Sequence, residues 1–290
     1  MLNKIKRIHR NFLGINQRNI DFIYPNNARQ HYRLADDKVQ SKELLQKHGI
    51  RTPATYGIIK SIGQIEQVWG RVRHHEKLVI KPASGRGGSG IMILKQENGI
   101  WFNAGKEISP DMIFSHIANT AFGLYSFADE DQVIIEQCII PHQFFAKIYP
   151  TGVPDIRVIT LHNSPVMAML RLPTAQSGGK ANLHQGGLGV GIDMDAGTLL
   201  HAYDGKRYLS NHPDSGSAIL GKTLPHWNAI KEMAANTAKA FPLKYLGVDL
   251  VIDQQLGPEV IEVNVRPGLG IQMANRKGLK NILNTKNTAA

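Results

Sequence analysis

Two runs near the C-terminal end, Gly247-Val248-Asp249-Leu250-Val251-Ile252-Asp253 and Glu259-Val260-Ile261-Glu262-Val263-Asn264-Val265-Arg266-Pro267-Gly268, limit the fold more sharply than anything else in the chain. Each alternates polar residues with Val, Leu or Ile at the period of a β-strand, and Gln254-Gln255-Leu256-Gly257-Pro258 supplies a turn between them. If Asp253 pairs with Pro258, Asp249 stands opposite Glu262, and Glu262 and Asn264 share its face. Two carboxylates and an amide oxygen are what Mg²⁺ takes, with its other positions left to water and phosphate. The competing reading is a surface hairpin whose polar side is only solvated. Asp253 and Glu259 suit that reading, whereas Glu262 and Asn264 lie inside an apolar strand, where an unpaired carboxylate is costly.

Two lysines far upstream sit in contexts that suggest a nucleotide. Leu78-Val79-Ile80-Lys81-Pro82 predicts a short buried strand, and Ile91-Met92-Ile93-Leu94 a second. Between them runs Ala83-Ser84-Gly85-Arg86-Gly87-Gly88-Ser89-Gly90, a connection whose backbone N–H groups can wrap phosphate oxygens. Lys81 places a point charge beside it. The pattern is neither a Walker loop nor a dinucleotide fingerprint, and a plain flexible hairpin loop is the alternative. Lys38 falls at the start of a helix predicted from Leu34, Val39, Leu44 and Leu45 and closed by Gly49, before Thr52-Pro53.

Taken in series, these stretches resemble the ATP-grasp ligases from about Leu34 to Arg276. Asp37-Lys38 is similar to the family's first nucleotide lysine, and Val79-Ile80-Lys81-Pro82 with its glycine loop (Gly85, Arg86, Gly87, Gly88, Ser89, Gly90) to the second. Val133-Ile134-Ile135-Glu136-Gln137-Cys138-Ile139 looks like the hinge that meets adenine, and the final hairpin like the metal strands. Val153-Pro154-Asp155-Ile156-Arg157-Val158, Ala168-Met169-Leu170-Arg171 and Gly179-Lys180-Ala181-Asn182-Leu183-His184-Gln185-Gly186-Gly187 are most like the ribosomal-protein glutamate ligases, with Asn264-Val265-Arg266-Pro267-Gly268-Leu269. More narrowly, the chain resembles the alpha-L-glutamate ligase-like proteins, related to sugar-transfer-associated ATP-grasp proteins.

The resemblance implies an α+β ATP-grasp fold: residues 1–37 as an extension in place of a pre-grasp domain, 38–280 as the grasp domain with a lid near 52–131, and 281–290 as a flexible tail. It implies ATP with Mg²⁺, or Mn²⁺ in its place. Asp249, Glu262 and Asn264 would hold the metal; Lys38 and Lys81, gripping from two subdomains, would hold ATP with the glycine loop and residues Glu136, Gln137, Cys138 and Ile139. Arg157, Arg171, Lys180 and Asn182 would bind the transferred phosphoryl and acyl groups. The implied reaction joins a carboxylate to an amine through an acyl phosphate, adding glutamate or another amino acid to a peptide or small molecule. A thiol or sugar-linked acceptor, or a non-catalytic ATP-binding scaffold, are the alternatives. The chain departs from the pattern in two places. Only 37 residues precede Lys38, fewer than the ~50 a separate core needs. Lys180 stands where the ligases usually carry arginine, giving a point charge instead of a planar fork.

The excess charge of +11 invites a nucleic-acid reading, but Lys4, Lys6, Arg7, Arg10, Arg276, Lys277, Lys280 and Lys286 are not interleaved with aromatics as stacking platforms require. Acidic surfaces or acidic substrates would answer the same charge. No apolar run reaches ~18 residues and the basic N-terminus lacks a secretory core, so a cytoplasmic setting is expected. A single cysteine, Cys138, excludes an internal disulfide framework and reads as hinge packing rather than nucleophile. The histidines form no zinc pattern, and His184 is read as ordering its loop rather than as a base. Arg157 and Arg171 lie in or at the end of strands and call for anionic partners, with an Asp155–Arg157 surface pair as the plain alternative. The loop Thr174 to Gly187 is long, polar and glycine-rich, which predicts mobility. Oligomeric state is left open.

Overall fold

The alternating residues of the glycine-loop hairpin build the first of two sheets. In the computed structural model, which describes residues 11–85, 87–126 and 130–288, the chain divides into two units. The smaller comprises Asp37–Val39 and Pro53–Ile139, and the larger the described parts of Met1–Asp36, Gln40–Thr52 and Ile140–Ala290.

The smaller unit is a six-stranded antiparallel sheet of β1 (Thr55–Ile59), β2 (Lys77–Pro82), β3 (Met92–Glu97), β4 (Ile100–Asn103), β5 (Lys106–Ile108) and β6 (Val133–Gln137). Their order is β1-β6-β2-β3-β4-β5. Leu78, Ile80, Leu94 and Ile135 form one core with Ile65, Val68, Trp69 and Val72 of the helix Ile65–Val72 and Ile113 and Ile117 of the helix Pro110–Ala121. Ser109 caps the latter helix by accepting the Met112 N–H, ahead of a proline in its first turn. Because side chains alternate along a strand, Lys81 points to the opposite face from Ile80. There a second small cluster joins Ile134, Ala83 and Val39.

The larger unit carries seven antiparallel strands: β7 (Asp155–Leu161), β8 (Ser164–Leu172), β9 (Leu188–Ile192), β10 (Leu199–Tyr203), β11 (Tyr208–Leu209), β12 (Tyr245–Asp253) and β13 (Gly257–Asn264). They are ordered β11-β10-β9-β8-β7-β12-β13. Ile156, Val158, Leu250 and Val248 share a core with Trp227, Ile230 and Ala234 of the helix Trp227–Ala240. The segment before Asp36 is a set of short helical turns laid on this core through Leu13, Phe22, Ile23, Tyr32 and Ala35. Asn27 fixes it: its amide donates to the Tyr245 carbonyl (2.7 Å) and accepts the Lys244 and Tyr245 N–H groups (2.9 and 3.0 Å).

Two expectations need correcting. Of residues 281–290, read as a flexible tail, those up to Thr288 lie in the helix Lys280–Thr288, because Leu283 and, just before the helix, Leu279 are fully buried in the larger core and a one-sided apolar contact favours helix over coil. Asp253 and Glu259, read as solvated residues, are 3% and 2% exposed, and Asp253 accepts the N–H groups of Ile140, Gln255 and Leu256. Among the described residues no helix is long and apolar enough to cross a membrane.

Candidate active site

The nucleotide half of the expected site lies in the smaller unit. Asp37 caps the helix Lys38–Lys47 by accepting the Val39 N–H (2.9 Å). Lys38 Nζ donates to the Gly85 carbonyl (2.7 Å), and its backbone N–H to the Ala83 carbonyl (3.1 Å). Lys38 and Lys81 fall in the smaller unit, and the helix that Lys38 opens continues from Gln40 in the larger one. Gly85 is required there, since a Cβ would stand 2.2 Å from the Pro82 ring. Gly88 sits in a left-handed turn with φ of +74°, and Gly87, Ser89 and Gly90 complete that turn. Arg86 lies outside the described residues.

Lys81 is 7% exposed and pairs with Glu136 at 2.5 Å. The pair follows from register: Lys81 stands opposite Ile134, so Glu136, two residues along β6, lies diagonally on the same face. Glu136, expected at adenine, thus has its side chain on Lys81. Gln137 binds Ala54 through both its N–H (2.9 Å) and its side-chain oxygen (3.2 Å). Cys138 and Ile139 follow half-buried. Sequence reasoning missed Asp131, which is buried and accepts the Ser84 N–H on both oxygens (3.1 and 3.0 Å) as well as the Ser126 hydroxyl. It anchors the entry to the glycine loop, and nothing in its local sequence signals that contact.

The metal and acyl half lies in the larger unit, on one face of four adjacent strands. The hairpin starts one residue tighter than expected, with Asp253 opposite Gly257, and a bulge at Ile261 then restores Asp249 opposite Glu262. Arg157 of β7 stands on the other side of Asp249, and Arg171 of β8 stands opposite Asp155. Residues directly opposite one another point the same way, so these five charges gather on one face, with Asp249 between Arg157 and Glu262. Asp249, completely buried, accepts Arg157 Nε and Nη2 at 2.7 and 2.6 Å and Arg171 Nη2 at 2.8 Å. Asn264 Nδ2 also reaches it, at 3.2 Å. Arg171 forks onto both oxygens of Asp155. The surface pair weighed for Asp155 and Arg157 does not form: each takes a cross-strand partner instead.

Burial pushes the Asp155 carboxyl up to about 7, against the pull of Arg171. At Asp249 burial acts in the same direction, yet Arg157 and then Arg171 together hold it below the usual carboxylate range. Two guanidinium groups thus take up the Asp249 oxygens, and the partly exposed edge of the patch carries the Glu262 carboxylate and the Asn264 amide oxygen. Hard oxygen donors of this kind fit Mg²⁺, which needs only one or two protein ligands when phosphate supplies others.

The loop Thr174–Gly187 is tied at both ends. Thr174 Oγ1 donates to the Gly186 carbonyl (2.7 Å), and Ser177 bonds back to Thr174. Asn182 caps a short turn by accepting the His184 backbone N–H (3.0 Å), so its side-chain oxygen serves the loop. Lys180 is exposed at the tip.

Residues 17–288 match the sugar-transfer associated ATP-grasp family, and the chain belongs to it. No curated protein matches by sequence. Among solved structures, biotin carboxylase from Campylobacter jejuni, in a complex with β-γ-ATP, is 14% identical, with 87% of this chain covering 46% of that one at a TM-score of 0.52. The D-cycloserine synthetase DcsG is 13% identical over 89% of this chain and 71% of its own, TM-score 0.50. The ATP-grasp ligase PsnB complexed with minimal precursor is 14% identical over 91% and 63%, TM-score 0.48, so the chain spans less than two thirds of that relative. At these identities the likeness is one of fold.

Proposed function

We propose that this chain is an ATP- and Mg²⁺-dependent ligase that joins a carboxylate to an amine through an acyl phosphate. The observation that carries the reading is the charge patch of the larger sheet, where two guanidinium forks, held by buried carboxylates, adjoin the oxygen donors Glu262 and Asn264. A carboxylate acylates poorly. When its oxygen attacks the γ-phosphorus and the bond to ADP breaks, it gains a phosphate leaving group; the amine then adds to the carbonyl carbon, phosphate departs and the amine loses a proton. Alignment and charge neutralisation are most of what such a catalyst must supply.

In this reading Lys38 and Lys81 offset phosphate charge beside the glycine loop, Arg157 and Arg171 meet the transferred phosphoryl oxygens, and Lys180 meets the acyl phosphate. Glu262 and Asn264 would hold Mg²⁺, with Asp249 joining them only where an arginine turns onto a phosphoryl oxygen. The bound ion would neutralise charge between the phosphates. An amino acid or peptide is the substrate class, with an amine as acceptor. Phosphate release from ATP–Mg²⁺ across a panel of amino acids and peptides, with product mass read out, tests the reading. Mg²⁺-dependent release without any new amide would redirect it to another acceptor.

Two outcomes check individual roles. Lys81→Ala should weaken ATP binding about 10-fold or more in calorimetry, the loss of a charge-assisted contact. Glu136→Gln should accompany it, so that no buried carboxylate is left without its lysine. Wild-type affinity in the double variant would remove Lys81 from the nucleotide. Lys180→Ala should depress turnover far more than ATP affinity, because its interaction develops with the acyl phosphate, and Lys180→Arg should retain substantial activity. Equal losses in both would move Lys180 to nucleotide binding.

A further inference from the structure

The larger unit holds a cavity of about 500 Å³ lined by Tyr24, Asn27, Ala28, Arg29, Tyr32 and Arg266. None of these residues is acidic. The cavity is built by the helical segment before Asp36 and by the turn that follows β13, two residues beyond Asn264. Its size is that of a small-molecule site.

Two of its lining residues are buried, Asn27 and Tyr32. Asn27 is 2% exposed and pinned to the backbone of Lys244 and Tyr245, which sets the position of Arg29 two residues on. Tyr32 is buried and carries the Arg266 guanidinium over its ring at 5.2 Å, so the fork is oriented while its edge stays exposed. Behind the wall lies a third cation. Arg18 is 5% exposed, yet among the described residues it donates to neutral acceptors, the Pro267 carbonyl (2.6 Å) and the Asn19 side chain (3.2 and 2.8 Å). A guanidinium removed from water without a carboxylate is expensive, and an anion nearby would offset the cost. Burial lowers the affinity of Arg18 for its proton, and the positive charge of Arg266 lowers it further. Two guanidinium groups, Arg29 and Arg266, thus line a pocket shared with Tyr24 and Tyr32, and Arg18 adds positive charge near Arg266.

We propose that this pocket binds the anionic end of the substrate, a carboxylate or phosphate held by Arg266 and Arg29, and so selects for substrates with a negative group beyond the one that is activated. The proposal rests on the ligase reading for the word substrate, and on the pocket alone for the binding of an anion. Guanidinium forks match both oxyanions in geometry. The short step along the chain from Asn264 to Arg266 ties the pocket to the strand that carries the cation donors.

Calorimetry without ATP or Mg²⁺ tests it, using L-glutamate, glucose 6-phosphate and inorganic phosphate, with L-glutamine and glucose as neutral counterparts. The expected result is that at least one anion binds, that its neutral counterpart binds at least ~10-fold more weakly, and that Arg266→Gln weakens the anion ~10-fold. Binding of glutamate identifies a carboxylate, and binding of the two phosphate probes a phosphate. Arg266 is exposed, so an unchanged melting temperature verifies the fold of the variant. No anion binding, equal binding of the neutral counterpart, or wild-type affinity in Arg266→Gln would overturn the proposal. Because nucleotide and metal are absent, this outcome is separate from the fate of the ligase reading, which is decided by ATP–Mg²⁺ turnover and the product it forms.

Discussion

Asp249→Ala is expected to destabilise the larger unit by about 3–5 kcal/mol, the cost of leaving buried guanidinium groups without their carboxylate. Asp249 is completely buried and receives two bonds from Arg157 and one from Arg171, whose side chains are each 12% exposed. Arg171 keeps Asp155, but Arg157 loses both charge-assisted bonds. Urea denaturation should show a lower midpoint for the transition of that unit. Asp249→Asn, which keeps an acceptor and the shape, should fall between the variant and wild type. The pH dependence checks the cause: the arginines depress the Asp249 pKa, so its contribution is fully present above the ordinary carboxylate value and fades as pH falls through the depressed one. The gap between wild type and Asp249→Ala should therefore narrow in acid. An unchanged midpoint at neutral pH would mean that the two arginines find other anions or water.

Much of this patch was legible in the sequence, since the hairpin alternation and turn placed Asp249 opposite Glu262 with Asn264 beside them, as the register shows. That result survived a wrong detail. The turn is one residue shorter than assumed, and without the bulge at Ile261 every side chain beyond it would have changed face. What alternation could not reveal is what faces Asp249 from the other side. Arg157 is 92 residues away in the chain, and its place beside Asp249 depends on the strand order β8-β7-β12-β13, which no local pattern encodes. Sequence alone could therefore call for anionic partners for Arg157 and Arg171 without naming them, and the local Asp155–Arg157 pair weighed as the alternative gives way to cross-strand pairs.

The same limit explains the smaller unit. Lys81 was found from its strand and glycine loop, but Glu136 was read as part of a hinge because its diagonal relation to Lys81 exists only once β2 and β6 pair. Asp131 is invisible for a similar reason: its hydrogen bonds reach back 47 residues to Ser84. The terminal helix was missed because Lys280–Thr288 is mostly polar, and its one decisive residue, Leu283, matters only through the core that receives it. The arginine-lined pocket had no sequence signal at all. Tyr24, Arg29 and Tyr32 meet Arg266 across more than two hundred residues of intervening chain, and the net positive charge alone did not point to it.

Glu262→Gln should reduce ATP–Mg²⁺ turnover by on the order of 100-fold or more while leaving the fold intact, the reverse of the pattern expected for Asp249→Ala. The contrast follows from burial. Glu262 is partly exposed, so an isosteric amide there keeps the shape of the edge of the patch, whereas Asp249 has both oxygens committed to arginines. What the amide lacks is the negative charge that, in the proposed reading, Glu262 would bring to a hard divalent ion. Calorimetry with ATP in the absence of Mg²⁺ should give wild-type affinity, since Lys38 and Lys81 lie in the other unit, and a Mg²⁺ titration of turnover should show a much weaker apparent affinity. Wild-type turnover at low Mg²⁺ would place the metal elsewhere. A parallel loss of stability and turnover would instead make Glu262 a structural partner of the patch and leave Asp249, released by its arginines, as the carboxylate that holds the ion.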